Sequence, residues 1–322
     1  MDTTTPKILR FSTDDYPEHK RIEAYREIFS RIIIKHDVEP VGHQPFRFKA
    51  TLCSLPGLGL ASSVISPCRR WLGPQHLESE DFVLTVSLGG GCNVQQLGRE
   101  ATIGEGESML TTCAEVGTVG IRCQSRPVSV RLPDSILRSR IPDIDALVSR
   151  KIPRSAESRL LTAYIAAIWS VESLIRSELR DIVVTHVHDL ACLVLGARGE
   201  ARELAEQGGA RAARRLAVVR AIDNHIADPG LSAVTVANLL DITPRYVHLL
   251  LEGTGQSFTH HVLEKRLEKA AALLRDPRWQ HRKIADIAAE SGFNDLSYFN
   301  RAFRRHFGAT PSDMREAARR GE

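Results

Sequence analysis

Ser297, Asn300, Arg301, Arg304 and Arg305 fall at spacings of three and four residues, which places them along one side of a helix. A guanidinium donates paired hydrogen bonds to a guanine edge or to phosphate oxygens, and an amide reads adenine. A row of such groups on one helix face is chemistry for duplex DNA. Arg301 suits a base edge, whereas Arg304 and Arg305 suit phosphates. The opposite stripe of the same helix is Leu296, Phe299, Phe303 and Phe307, and Asp295 is placed to cap its first turn. Upstream, Ile284, Ile287 and Ala288 recur at helical spacing, and Gly292 supplies a turn where positive φ costs least. The run from Ile284 to Arg315 therefore reads as a helix-turn-helix whose second helix carries arginines outward, a shape that enters a major groove.

A second unit of the same kind precedes it. Leu216, Val219, Ile222 and Ile226 outline a helix that Asp228-Pro229-Gly230 stops. Val236, Ala237 and Leu240 predict a short helix, Asp241 a turn, and Thr243-Pro244 the cap and first residue of the next helix. With Val247, Leu250 and Leu251 inward, Arg245, Leu249 and Glu252 face outward and His248 lies at the edge. Between the units, residues 259–275 keep the 3.6 period through Val262, Leu263, Leu267, Ala270, Ala271 and Leu274 until Pro277. Such a helix spans about 26 Å. With the widths of its neighbours it could set two reading helices one DNA turn, roughly 34 Å, apart.

The run Ile284–Arg315, with its closing phrase FGATPSDMR, resembles the C-terminal signature of the AraC/XylS family of transcription regulators. TPRYVHLLLEGTGQSF, from Thr243 to Phe258, is similar to the family's first reading helix and the loop after it. The likeness covers about the last third of the chain. It implies promoter DNA as partner, contact with RNA polymerase, and activation rather than repression. Two departures matter. Leu249 stands where the family usually has a basic residue, and leucine offers a base only apolar contact, against a thymine methyl. Asp241 stands where glycine is common, and aspartate tolerates the left-handed region at small cost. The second unit is therefore expected to carry most of the specificity.

Charge follows the same division. Residues 211–322 hold 18 Lys and Arg against 13 Asp and Glu, while the first 210 residues hold 25 against 26. An excess this modest assists attraction to phosphate without supplying sequence reading.

Length predicts two domains: residues 1–198, a linker at 199–215 rich in charge, alanine and glycine and open to partial helicity, and an all-α domain at 216–322 with helix-turn-helix units near 232–253 and 283–307. Short apolar or alternating runs between 46 and 132, punctuated by glycines, predict strands of a barrel or jelly roll. GREATIGEGESML, from Gly98 to Leu110, resembles a hairpin of the cupin-like sensor domain in one branch of the family. The predicted fold is therefore α+β: a cupin-like β-barrel or jelly roll with flanking helices, then two helix-turn-helix units joined by a long helix. An amphipathic helix near Tyr16–Lys35 is expected to lie across the barrel. Helices near 155–197, with stripes through Leu160, Leu161, Ile165, Ile168, Val171, Leu174 and Ile175 and then Leu179–Leu195, either pack within the domain or, as the resemblance implies, form a homodimer.

Arg69, Arg70 and Trp71 are read as the connection between two strands, where Arg70 and Trp71 could hold a carboxylate or aromatic effector by hydrogen bonds and stacking. A metal is not expected. The strand region offers only His43 and His76, while His186 and His188 point to different helix faces and His260-His261 are adjacent. Six cysteines without a Cys-x-x-Cys pair, no signal peptide and no apolar run of membrane length predict no cofactor, no membrane partner and a reducing cytoplasm. An enzyme with an appended DNA module, and an architectural DNA-binding protein without an effector, are the alternatives. Absent metal ligands and catalytic triads argue against the first.

Overall fold

The computed structural model describes residues 8–170, 177–252 and 257–320, and of residues 170, 177, 178 and 252 the backbone alone. Val171, Leu174, Ile175, the Glu252 side chain and residues 253–256 lie outside the described residues. Contacts divide the chain into two units, Met1–Ala213 and Arg214–Glu322.

The first unit is built on strands β1 (Leu9–Ser12), β2 (Asp37–Pro40), β3 (Phe48–Leu55), β4 (Leu58–Ile65), β5 (Cys68–Leu72), β6 (Phe82–Ser87), β7 (Cys92–Gln96), β8 (Arg99–Ile103), β9 (Ser108–Thr112), β10 (Gly117–Ile121), β11 (Pro127–Leu132) and β12 (Lys151–Ile152). Helix α1 (Arg21–Ile32) follows β1, and α2 (Asp134–Arg140), α3 (Ile144–Leu147), α4 (Ala156–Ser170), α5 (Ser177–Val194) and α6 (Gly199–Ala205) follow β11. Every named strand pair is antiparallel, in one sheet of order β1-β3-β4-β11-β6-β9-β12 and another of order β2-β5-β10-β7-β8. Among the described residues no strand pairs across from one sheet to the other. The jelly-roll expectation thus takes the form of a cupin-like sandwich rather than a closed barrel.

Alternation along the strands decides what each face meets. From the larger sheet, Leu52, Ala61, Val83 and Met109 face the smaller one, which answers with Val38, Cys68, Val94 and Ile121. Helix α1 lays Tyr25 and Phe29 into one part of this layer, with ring centroids 4.7 Å apart for Tyr25 and Phe48 and 5.2 Å for Tyr25 and Phe46. The other face of the larger sheet carries Leu60, Leu84, Leu110 and Val130, all fully buried. Helices α4 and α5 cover it. Trp169 Nε1 donates to Ser62 Oγ at 2.8 Å, and His188 Nε2 lies 2.8 Å from the Gly57 carbonyl. Buried Leu161, Ile165, Ile168, Val183 and Val187 show where the helical stripes go, while Leu179 and Ile182 stay exposed.

One sequence expectation changes here, and another is extended. Residues 69–71 are not a connection between strands; they form the middle of β5, paired with β2 on one side and β10 on the other. Their charge broke the apolar pattern by which strands are recognised. Residues 199–215 are helical: α6, a wider turn at Glu206–Ala210, and the start of α7 (Arg211–Asn224).

The second unit continues with α8 (Ala233–Leu240), α9 (Pro244–Glu252), α10 (Phe258–Arg275), α11 (Ile284–Glu290), α12 (Leu296–Phe307) and α13 (Pro311–Arg320). Its shared rod is α10. Phe258 and Val262 join a core with Val218, Ile222, Val236, Val247, Leu250 and Leu251, whereas Leu267, Ala270, Ala271 and Leu274 join another with Ile287, Phe299 and Phe303. On α7 the buried positions are Ala213, Val218, Ala221 and Ile222, with Leu216 and Val219 half-buried, a rotation of the predicted stripe toward α8 and α9. Between the two cores, Arg266 of α10 donates from Nε to the Ile226 carbonyl (3.1 Å) and from Nη2 to that of Asp228 (2.6 Å). These carbonyls follow the end of α7, beyond its helical hydrogen bonds, and that of Asp228 also accepts from the Leu231 amide at 3.1 Å.

Candidate nucleic-acid interface and ligand cavity

The local chemistry of each reading helix explains its placement. Asp241 ends α8 in the left-handed conformation at φ 55°, and Thr243 Oγ1 accepts from the Tyr246 amide at 3.2 Å before Pro244 opens α9. Val247, Leu250 and Leu251 face inward, and Arg245, His248 and Leu249 are exposed. The His248 ring meets Phe258 edge-on, which ties it to the base of α10. Asp295 caps α12 by accepting from the Tyr298 amide at 2.8 Å. Phe293, Phe299, Phe303 and Phe307 then pack in series as tilted ring pairs, with centroids 4.9, 5.4 and 4.7 Å apart.

The same ladder corrects the predicted stripe. Leu296 is exposed, not inward, because Phe293 from the turn fills the place beside Phe299. Ser297, Asn300, Arg301, Arg304 and Arg305 are all exposed, and none of their side chains makes a hydrogen bond or ion pair among the described residues. Tyr298, also exposed, joins this surface. The phrase after α12 is a cap assembly. Gly308 takes φ 74°, the Asp313 amide donates to Thr310 Oγ1 (3.2 Å), and the Thr310 amide donates to Asp313 Oδ2 (3.0 Å). Arginines held in no ion pair, on a helix sealed behind by aromatics, are free to neutralise phosphates and reach base edges, although Arg304 feels the Asp313 carboxylate.

In the first unit, a cavity of about 70 Å³ lies between the sheets. Arg70 and Trp71 both line it, but adjacent strand residues point to opposite faces, so the two do not stack on each other. The Arg70 guanidinium instead sits over the Phe29 ring, 5.9 Å from its centre. Tyr25 Oη lies 2.8 Å from His36 Nε2, and His36 Nδ1 lies 3.1 Å from the Ile34 carbonyl. Since that carbonyl requires a donor, Nδ1 carries the proton and Nε2 accepts from tyrosine. Burial, and then the Arg70 charge, hold the His36 pKa well below the ordinary histidine value, so the ring is neutral. Burial likewise pushes the Tyr25 hydroxyl up to about 12. Sequence reading missed Tyr25, Phe29 and His36 as partners of Arg70, since no local pattern joins α1, residue 36 and β5.

Burial also raises the cysteines, Cys53 and Cys68 to about 11 and Cys113 to about 12, so these thiols are protonated at neutral pH and poor nucleophiles. Cys123 alone among the six is exposed. A thiol-reactive dye at pH 8 is expected to label Cys123 within minutes and the others only after denaturation. Rapid labelling of two or more thiols in the folded protein would overturn this.

Comparison with known proteins agrees with the geometry. A sequence model described as a helix-turn-helix domain matches residues 236–317. A second, described as an AraC-binding-like domain, matches residues 25–196, more than half of the chain. The chain belongs to the AraC/XylS family of transcription regulators. It is similar to the transcriptional activator NphR of Rhodococcus, at 25% identity over 242 residues covering 74% of this chain and 70% of that protein. It is also similar to the transcriptional activator RhrA of Rhizobium meliloti, at 36% identity over 105 residues. That match spans about a third of each protein, 33% of this chain and 33% of RhrA. Among solved structures, the AraC-like transcriptional activator CuxR superposes over 88% of this chain and 100% of its own with a TM-score of 0.50 at 17% identity, a likeness of fold. Among the described residues no helix is long and apolar enough to cross a membrane.

Proposed function

We propose that this family member is an activator that reads promoter DNA through α9 and α12 and answers to a small effector bound in its N-terminal unit. In this reading residues 1–198 sense and dimerise, 199–215 connect, and 216–322 bind DNA in the cytoplasm, with RNA polymerase as the partner that activation requires. The observation that carries it is the unpaired row of Ser297, Asn300, Arg301, Arg304 and Arg305 on the exposed side of α12. The names of RhrA and NphR as transcriptional activators support the sign of regulation. The division of labour follows from side-chain chemistry. Arg301 takes a base edge, Arg304 and Arg305 take phosphates, and Arg245 and His248 help seat α9, whose exposed Leu249 gives at most apolar contact.

The test is footprinting and affinity measurement on a selected operator. Arg301→Ala is expected to cost about 1–3 kcal/mol and to relax preference at one base pair, whereas Arg304→Ala or Arg305→Ala weakens all sequences alike and lowers the salt slope by about one. Leu249→Arg should tighten binding or leave it nearly unchanged. An unaltered footprint for Arg301→Ala together with complete loss for Arg245→Ala would reverse the assignment of the two units.

A further inference from the structure

The cavity between the sheets holds a cation without a counter-charge. Arg70 forms no ion pair among the described residues, and no aspartate or glutamate lines the cavity. Its Nε is sealed from solvent with no hydrogen-bond partner. Tyr25 gives the guanidinium a side-chain hydrogen-bond partner, but a protonated phenol brings no counter-charge, and the other neighbours are committed elsewhere. Gln96 spends its amide on the carbonyls of Thr112 and Glu115 and its oxygen on the Thr112 amide. His36 is neutral and accepts the hydrogen bond of the Tyr25 hydroxyl. The Thr85 and Ser129 hydroxyls touch only each other, at 3.5 Å, and remain the other polar groups free to turn toward an occupant. The rest of the wall is largely apolar, through Phe29, Ile33, Val83, Val94 and Met109. An unpaired guanidinium in such surroundings is costly unless an anion completes it.

The inventory also selects among anions. Phosphate or sulfate would bring several charged oxygens to one cation and leave most of them unmatched. A sugar would need many fixed polar partners, and the wall offers few. A carboxylate fits the planar fork of one arginine with two parallel hydrogen bonds. Its hydrocarbon then meets Phe29 and the aliphatic wall. A groove at the ends of β5, β7 and β10 shares Trp71, Leu72, Gln95, Gln96, Gly117 and Thr118 with the cavity, which leaves a path for a body longer than the cavity alone accommodates. Trp71 stands at that junction, apart from Arg70.

We propose that this cavity binds a small organic monocarboxylate, with Arg70 holding the carboxylate and the layer between the sheets enclosing an apolar body. This rests on reading the N-terminal unit as the effector-binding part of the protein.

Thermal unfolding of the full chain tests it with butyrate, hexanoate, benzoate and phenylacetate, each beside its primary amide. At least one acid should raise Tm saturably, by about 3 °C or more well above its Kd, with its amide inert. Arg70→Gln should abolish that shift while its own ligand-free Tm is equal to or above the original, because a desolvated charge has been removed. Arg70→Lys should keep a weaker shift. A purely structural arginine would instead lower the ligand-free Tm on replacement. Amides as effective as acids, an unchanged response in Arg70→Gln, or no response to any of the four acids would each overturn the proposal. A reporter assay separates the two levels. Acid binding that needs Arg70 but leaves transcription unaltered sinks the effector reading alone, whereas a response to an uncharged ligand that ignores Arg70 sinks only the carboxylate.

Discussion

Gly292→Ala is expected to destabilise the second unit by about 3–4 kcal/mol and to abolish the α12 footprint, because the residue is constrained twice. Its φ of 89° is a conformation that side chains rarely adopt, and an added Cβ would stand 2.3 Å from the Ile226 carbonyl oxygen and 2.7 Å from Arg266 Nε. Those two atoms are the partners of the hydrogen bond by which α10 holds the end of α7. Neither can retreat cheaply, since the carbonyl is backbone and the arginine also bonds the Asp228 carbonyl. Gly308→Ala makes the comparison. Gly308 also has positive φ, at 74°, but nothing lies within 4 Å of its added Cβ, so its cost should be only about 1 kcal/mol. Urea unfolding of both variants measures the difference. Equal losses would mean that conformational strain acts alone and that the close approach to Ile226 yields without penalty.

The contrast between these glycines shows what was legible in the sequence. Gly292 was readable as a turn, as were the caps at Asp295 and Thr243 and the left-handed Asp241, because each acts on backbone groups within a few residues. The exposed faces of α9 and α12 followed from periodicity for the same reason. The stripe failed at Leu296, where Phe293, outside the helix and therefore outside its period, took the buried place. Arg266 could only look like a surface charge on an amphipathic helix, since its carbonyl partners lie 38 and 40 residues away. The ligand cavity was legible least. Arg70 stood out as a basic pair beside tryptophan, but its strand was hidden by that same charge, and its real surroundings come from α1 and from residue 36. Trp71 was adjacent in sequence, and strand alternation sends it to the other face for that very reason.

Asp189→Ala is expected to cost about 2–4 kcal/mol in the first unit, an effect that a featureless tether at residues 199–215 would not produce. The Asp189 carboxylate is almost fully buried and takes a hydrogen bond from Arg140 Nη1 at 2.7 Å and another from the Gly209 amide at 3.1 Å. It thereby fastens the turn at Glu206–Ala210 to α5, and the paired glycines give it room, since a Cβ at Gly208 would lie 2.5 Å from its Oδ2. Alanine leaves a partly buried guanidinium without its acidic partner, though still beside Cys192, and the Gly209 donor without its acceptor. Breaking a buried pair this way typically costs 3–5 kcal/mol, reduced here because Arg140 keeps some contact with water. Replacing both ends, as Arg140→Met with Asp189→Leu, should recover much of the ion-pair loss but not that of the Gly209 donor. Hydrogen exchange at residues 206–210 should therefore stay fast in the double variant while its Tm rises above that of Asp189→Ala. If Tm is equally low in both, Asp189 acts through packing; if exchange at 206–210 never changes, the turn is held without it.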